Sequence, residues 1–353
     1  MSVTLQDVRD AAELLRGHVV RTPTIRSGPL SALHGAEIFV KLETLQHTGS
    51  FKDRGAGVKL AGLPPERQER GVVTVSAGNH AQGVAWHARR LGIPATILMP
   101  TGTPFTKIRR TEDLGARVVL EGETLNEAEP EARRMVEEEG LTFVHPYDDD
   151  AIIAGQGTVA LEMLEDVPEL DVVVVPVGGG GIVSGIATVL KELRPEVEVI
   201  GVEGELYPSM YNALRGESAP VGGRTIADGI AVKRPGERTL PIVREKVDDL
   251  VLVPEPAIEA AVQSFLTDGK VQVEGAGAVP LAAVAENPDR FRGRRVGLVA
   301  CGANIDPRIL ATVLLRGMAR SGHLARLRIS IDDQVGTLAR VARDVLACEA
   351  CGN

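Results

Sequence analysis

The sequence predicts an α/β fold with parallel sheets and flanking helices, arranged as two domains with a short appendage. Three observations carry this. Short apolar strands alternate with segments of helical spacing from Gly71 to Arg316, the pattern of a parallel sheet covered on both faces. Asp171 to Val175 is an unalternated β-branched run, as expected of a strand buried on both sides. Loops rich in glycine and small polar residues follow three of the strands, at the sheet end where open α/β folds bind ligands.

The chain has 353 residues, 44% of them apolar, which suits two domains with sizeable cores. A formal net charge of −9 argues against a nucleic-acid partner. No apolar run approaches the roughly 20 residues that a membrane helix requires. The first 17 residues carry Asp7, Asp10 and Glu13, which no signal peptide would. Three cysteines, Cys301, Cys348 and Cys351, make no disulfide framework, so a reducing cytoplasm is expected. Cys348 and Cys351 are spaced like half a metal site but lack a second pair or a nearby His.

Taken in order, the chain opens with a helix: Thr4 and Asp7 form a capping box, Val8, Ala11, Ala12 and Leu15 line one face, and Gly17 stops it. Arg21-Thr22-Pro23 breaks the pattern and Glu37 to Leu42 reads as a strand. Gly49-Ser50-Phe51-Lys52-Asp53-Arg54-Gly55 follows, with Ser50 and Asp53 at capping-box spacing. Val72–Val75, Ala95–Met99, Arg117–Leu120 and Phe143–His145 are strands; the helices between them cover Ala81 to Leu91, a segment begun by a Thr103 cap with Pro104 in its first turn, and Glu123 to Glu139. From Asp150 a second block runs through a helix at Gly157–Leu164, the Asp171–Val175 strand, Gly178–Gly181, a helix at Ile182–Leu193, a strand at Val197–Val202, a strand at Arg295–Val299 and a helix from Pro307 to Arg316. Leu327 to Ile331 reads as a strand and Thr337 to Leu346 as an amphipathic helix.

Lys52 lies in the first turn of its helix, where the dipole opposes a cation and favours the free amine. A free lysine amine forms Schiff bases with carbonyl compounds; the alternative is a solvated lysine on an ordinary helix. Gly178 to Gly181, between a buried strand and a helix start, suit a phosphate held by backbone N–H groups, or else tight strand–helix packing. A dinucleotide would use Glu203 at the end of the next strand, but the third fingerprint glycine is missing: Val183 or Ser184 stands in its place, and Gly185 comes one residue late. Ser76-Ala77-Gly78-Asn79-His80 offers hydroxyl, amide and imidazole groups at a helix start, suited to a carboxylate or a ring oxygen, with His80 otherwise a packing residue. Cys301 follows a strand end, or is a buried small hydrophobe. A Schiff-base lysine, a phosphate cradle and a second anion loop together describe a pyridoxal-phosphate enzyme acting on an amino acid.

With Lys41-Leu42-Glu43, Gly155-Gln156-Gly157-Thr158, Pro176-Val177 before the glycines and Cys301-Gly302-Ala303-Asn304 added, the sequence resembles the serine/threonine dehydratase family of fold-type II pyridoxal-phosphate enzymes over about residues 5 to 320. The resemblance implies a tryptophan synthase β-like fold, with a large cofactor domain at 1–68 and 147–322 and a small α/β domain at 69–146. It implies that Lys52 binds pyridoxal 5'-phosphate covalently and is the catalytic base, and that Gly178, Gly179, Gly180 and Gly181 hold the phosphate. Phe51 would pack on the ring, Asn79 bond its hydroxyl, and Cys301 stand beside its nitrogen. Ser76, Ala77, Gly78, Asn79 and His80 would receive the substrate. The implied reaction is β-elimination of threonine, and of serine, to a 2-oxo acid and ammonia, within amino-acid metabolism such as isoleucine biosynthesis.

Two departures qualify it. Family members that racemise serine carry a second Ser where Ala77 stands, so elimination is favoured over racemisation or β-replacement. Racemases that bind a divalent cation pair a Glu with an Asp six residues on; here Glu203 is followed by Ser209, so no metal is expected. The tail, 325–353, resembles the first part of an ACT regulatory domain, and its strand is expected to pair within a homo-oligomer, dimer or tetramer. A nucleotide-dependent oxidoreductase and a non-catalytic amino-acid sensor are the readings from other classes.

Overall fold

The computed structural model describes residues 3–325, 328–331 and 334–347, in two units that divide between Val313 and Leu314. The first unit contains two sheets. Its strands are β1 (Thr24–Arg26), β2 (Glu37–Leu42), β3 (Val72–Val75), β4 (Ala95–Met99), β5 (Arg117–Leu120), β6 (Thr142–Phe143), β7 (Val172–Pro176), β8 (Glu198–Gly204), β9 (Asp249–Val253) and β10 (Arg295–Ala300). One sheet runs β1-β2-β10-β7-β8-β9, the other β5-β4-β3-β6. Every pairing is parallel except β1 on β2 at one edge. The valines of β7 are completely buried, as the unbroken β-branched run requires.

Three helices cross beside the larger sheet with backbones in contact, and glycine permits it. They are Lys52–Ala61, Asp150–Asp166 and Gly181–Leu193. A Cβ on Gly155 would lie 2.7 Å from the Cα of Gly55, and one on Gly185 would lie 2.5 Å from the Gly157 nitrogen. The Gly155-Gln156-Gly157-Thr158 motif is therefore a helix-packing device, with Gln156 Oε1 also accepting from the Gly55 N–H at 3.3 Å.

Beneath the Lys52 helix lies a buried cluster of two cations and two carboxylates. Arg54 donates from Nε and Nη2 to Glu43 at 2.8 Å each, from Nη1 to Thr158 Oγ1 at 3.0 Å and to Glu162 at 2.8 Å, and from Nη2 to Glu162 at 2.7 Å. All five guanidinium hydrogens are thereby used. Lys41 Nζ donates to Glu162 at 2.5 Å and to the Thr22 carbonyl at 2.6 Å. Burial alone would raise the Glu43 carboxyl, but the Arg54 charge and hydrogen bonds hold it below its ordinary value.

Several element boundaries differ from the sequence expectation. The Ser50–Asp53 capping box does not form: Asp53 turns back to accept from the Thr48 N–H at 2.9 Å and from the Thr48 hydroxyl, and Ser50 Oγ is buried without a partner. Thr103 caps nothing, because Pro104 itself is the N-cap of helix Phe105–Asp113. Helix Asp150–Asp166 starts seven residues before Gly157, since Asp149 accepts from the Ala151 and Ile152 N–H groups. Strand β6 stops at Phe143, leaving Val144 and His145 outside it.

In the second unit, helix Thr337–Leu346 forms where its spacing predicted. Residues 328–331 carry no strand, and Ile329 and Ile331 alternate with Arg328 and Ser330 without a ladder to bury them. Leu327, Cys348 and Cys351 lie outside the described residues.

Gly185→Ala tests the helix crossing. The new methyl meets backbone that cannot step aside, so urea unfolding is expected to show a loss of about 3 kcal/mol, at the upper end of overpacking costs.

Candidate active site

The segment before Lys52 is stitched to the loop after β10. The Phe51 N–H donates to the Cys301 carbonyl at 3.0 Å, the Ala303 N–H donates to the Gly49 carbonyl at 2.9 Å, and Ser50 pairs with Gly302. Gly49 takes φ +74, where a side chain would be strained. Gly83 brings helix Asn79–Leu91 against the Lys52 carbonyl, since a Cβ there would stand 3.1 Å from it. One lysine thus sits at the junction of both sheets' loops.

Lys52 Nζ donates to the Pro146 carbonyl at 2.6 Å and lies 5.0 Å above the Phe51 ring centroid. Its pKa is lowered to about 8, chiefly by burial. The direction matches the sequence expectation, but desolvation, rather than the helix dipole, is the dominant cause. Cys301 is also buried, which raises its thiol well above the usual range and keeps it protonated and neutral.

Asn79 is held at both ends of its amide. Asn304 Nδ2 donates to the Thr48 carbonyl at 2.7 Å and to Asn79 Oδ1 at 2.8 Å; Asn79 Nδ2 donates to Glu274 Oε1 at 2.7 Å. Glu274, at the start of helix Gly275–Glu286, is pushed up to about 7 by burial and by the nearby Asp228. The sequence reading did not single out Glu274. The available signal was an acid directly before a Gly-Ala-Gly helix start.

The tetraglycine bears on both of its readings. Its glycines are tightly packed: a Cβ on Gly179 would run into the Tyr147 ring, one on Gly178 would lie 3.0 Å from Ile230 Cα, and one on Gly180 2.7 Å from Met210 Cε. Yet among the described residues no protein acceptor takes the N–H of Gly178, Gly179 or Gly180, though all three residues are buried. Helix Gly181–Leu193 adds its own first-turn N–H groups. Buried donors without partners, at a positive helix end, fit a phosphate. Tyr147, which walls this loop and donates to the Arg234 carbonyl at 3.3 Å, was not foreseen.

In the 76–80 loop, Ser76 Oγ accepts from the Gly78 N–H at 3.3 Å and Ala77 is half-buried. His80 Nε2 faces the Val144 carbonyl at 3.0 Å, so Nε2 carries the proton and the buried Nδ1 presents a lone pair. Burial, then Lys52, lowers the imidazole to about 3. A neutral ring with its donor committed has no N–H to offer a carboxylate, which leaves the Ser76 hydroxyl and the helix-start N–H groups as the donors of this loop.

Glu203 is remote in role. Its oxygens accept from the Met210 and Tyr211 N–H groups at 2.9 and 2.8 Å, so it caps helix Ser209–Arg215, and burial raises it to about 7. That commits its oxygens to its own chain, and it lies in no cluster of three potential metal ligands among the described residues.

Comparison with known proteins gives the family. Residues 15–302 match the family of pyridoxal-phosphate dependent enzymes. The chain is 47% identical to L-threonine ammonia-lyase of Thermotoga maritima over 95% of this chain and 84% of that one. Among solved structures it is similar to maize serine racemase, at TM-score 0.83 and 32% identity over 92% of this chain and 100% of that one. It is also similar to the processed form of threonine deaminase isoform 2 from Solanum lycopersicum, at TM-score 0.82 and 34% identity over 89% of this chain and 90% of that one. The matched span contains the lysine, the orphaned N–H groups and the Asn79 loop, and the chain belongs to the pyridoxal-phosphate dependent enzyme family.

Proposed function

We propose that this chain is a threonine ammonia-lyase that also accepts serine, releasing a 2-oxo acid and ammonia. The observation that carries it is a half-buried lysine with a lowered pKa at a helix start, together with buried glycines whose backbone N–H groups have no protein acceptor among the described residues. Relatives at 41 to 47% identity, named L-threonine ammonia-lyase or L-threonine dehydratase, support the substrate class.

Lys52 would hold pyridoxal phosphate, with Gly178–Gly181 on the phosphate, Phe51 against the ring, Asn79 at the ring hydroxyl and the Cys301 thiol at the ring nitrogen. Bound there, the cofactor supplies an aldehyde for an amine and a ring that withdraws electrons from Cα. The chain's own groups do the rest. The Ser76 hydroxyl and the N–H groups at the start of helix Asn79–Leu91 orient the substrate carboxylate. Lys52 Nζ, neutral above about pH 8, takes the Cα proton and gives it to the departing β-hydroxyl, which leaves as water. The neutral Cys301 thiol offers no carboxylate charge to the ring nitrogen.

Ala77 favours elimination over the racemisation that names the maize neighbour, because it has no proton to exchange from the other side. Glu203, committed to capping, weakens the nucleotide reading. The same proposal divides the chain up to residue 322 into a large domain at 1–68 and 147–322 and a small one at 69–146, a division supported by the two separate sheets of the first unit. It also assigns a cytoplasmic homo-oligomer, supported by the absence of a disulfide framework and by exposed Ile329, Ile331 and Leu338.

Borohydride reduction after incubation with pyridoxal phosphate is expected to label Lys52 by peptide mass analysis, and Lys52→Ala to abolish both label and 2-oxobutanoate release; turnover by the variant would overturn the reading. Cofactor capture by the cofactor-free protein is expected to accelerate about tenfold per pH unit and to level off above about 8, where the amine is neutral. An ordinary lysine would keep accelerating to about 10.4. Ala77→Ser is expected to raise D-serine formation from L-serine, read by chiral chromatography; no D-serine above wild type would show that one added hydroxyl is insufficient.

A further inference from the structure

The network around Asn79 allows its hydrogens to be counted. Asn304 Nδ2 has two N–H groups, one on the Thr48 carbonyl and one on Asn79 Oδ1. Since only Asn304 Nδ2 can donate to both oxygens, the Asn79 amide is oriented with its oxygen toward Asn304 and its nitrogen toward Glu274. One Asn79 N–H is then spent on Glu274 Oε1 at 2.7 Å, and one is left over. Without Glu274 as acceptor, the Asn79 amide would be held at its oxygen alone and free to swing its nitrogen.

Glu274 is itself fixed. It is buried, its backbone N–H donates to the Gly302 carbonyl at 2.9 Å, and Gly302 is required beside it, since a Cβ there would lie 2.6 Å from Oε1. Both the neutral and the ionised carboxyl can accept at Oε1, so the arrangement does not depend on its charge.

We propose that Glu274 is a positioning residue for the cofactor: by taking one N–H of Asn79 it aims the remaining one at the cofactor's ring oxygen. This rests on the assignment of Asn79 to that oxygen.

The test is a double-mutant cycle on cofactor affinity, titrated by absorbance at one pH with cofactor-free protein, alongside the thermal midpoint of the same cofactor-free variants. Glu274→Ala is expected to weaken binding about tenfold, the scale of one lost buried hydrogen bond. Asn79→Ala is expected to weaken it at least as much. In the Asn79→Ala background, Glu274→Ala should cost less than about twofold. Glu274→Gln, whose amide oxygen can still accept, should stay within about threefold of wild type. Equal losses in both backgrounds, or a Gln variant as weak as Ala, would overturn the proposal, because Glu274 would then act without Asn79 or through its charge. Unchanged affinity in Asn79→Ala would overturn it by removing the Asn79 assignment, while Lys52 labelling would still stand. If Glu274→Ala does not fold, Glu274→Met, of similar length and without a strong acceptor, replaces it in the cycle.

Discussion

The buried cluster of Arg54, Glu43, Glu162 and Lys41 is the constraint on which the site depends. Arg54 lies two residues after Lys52, so whatever fixes its guanidinium fixes the first turn of the helix that presents the amine. Two cations against two carboxylates leave the cluster neutral, and every guanidinium hydrogen has an acceptor. Both conditions matter, because a buried pair broken on one side costs about 3–5 kcal/mol. The cluster also draws together distant chain segments, β2 with its following turn on one side and helix Asp150–Asp166 on the other.

Glycine does the complementary work. The contacts among Gly55, Gly155, Gly157 and Gly185 bring three helix backbones within reach of one another. Crossing this close leaves no room for adjustment, so the Lys52 turn and the glycine loop that opens helix Gly181–Leu193 are held in fixed relation. The tetraglycine repeats the economy: the missing side chains make room for Tyr147, Ile230 and Met210, while the backbone donors stay free.

Much of this was legible in sequence. The unbroken β-branched run identified β7, the alternation of strands and helices identified its parallel neighbours β8 and β10, and loops at strand ends singled out Lys52, Asn79 and the glycines. Strand β1 was missed: it is three residues long, sits at an edge and pairs antiparallel, so it has neither length nor burial to leave a pattern. Strand β9 was missed because Asp249 to Val253 is only partly buried. Glu274 and Tyr147 were missed for a different reason. Each acts through a partner far away in the chain, and no local spacing encodes such a contact. The Ser50–Asp53 spacing misled because Asp53 found better donors behind it, in Thr48.

The buried, unpartnered N–H groups of Gly178 to Gly180 have a consequence beyond catalysis. An amide donor buried without an acceptor opposes folding. In this fold the three N–H groups have no protein acceptor among the described residues, between β7 and the helix it feeds. An anion that fills the loop binds the native state alone and stabilises it by mass action. On the proposed assignment of this loop to the cofactor's phosphate, cofactor binding would add to the stability of the fold as well as to activity, and cofactor-free chains would be the more open to proteolysis.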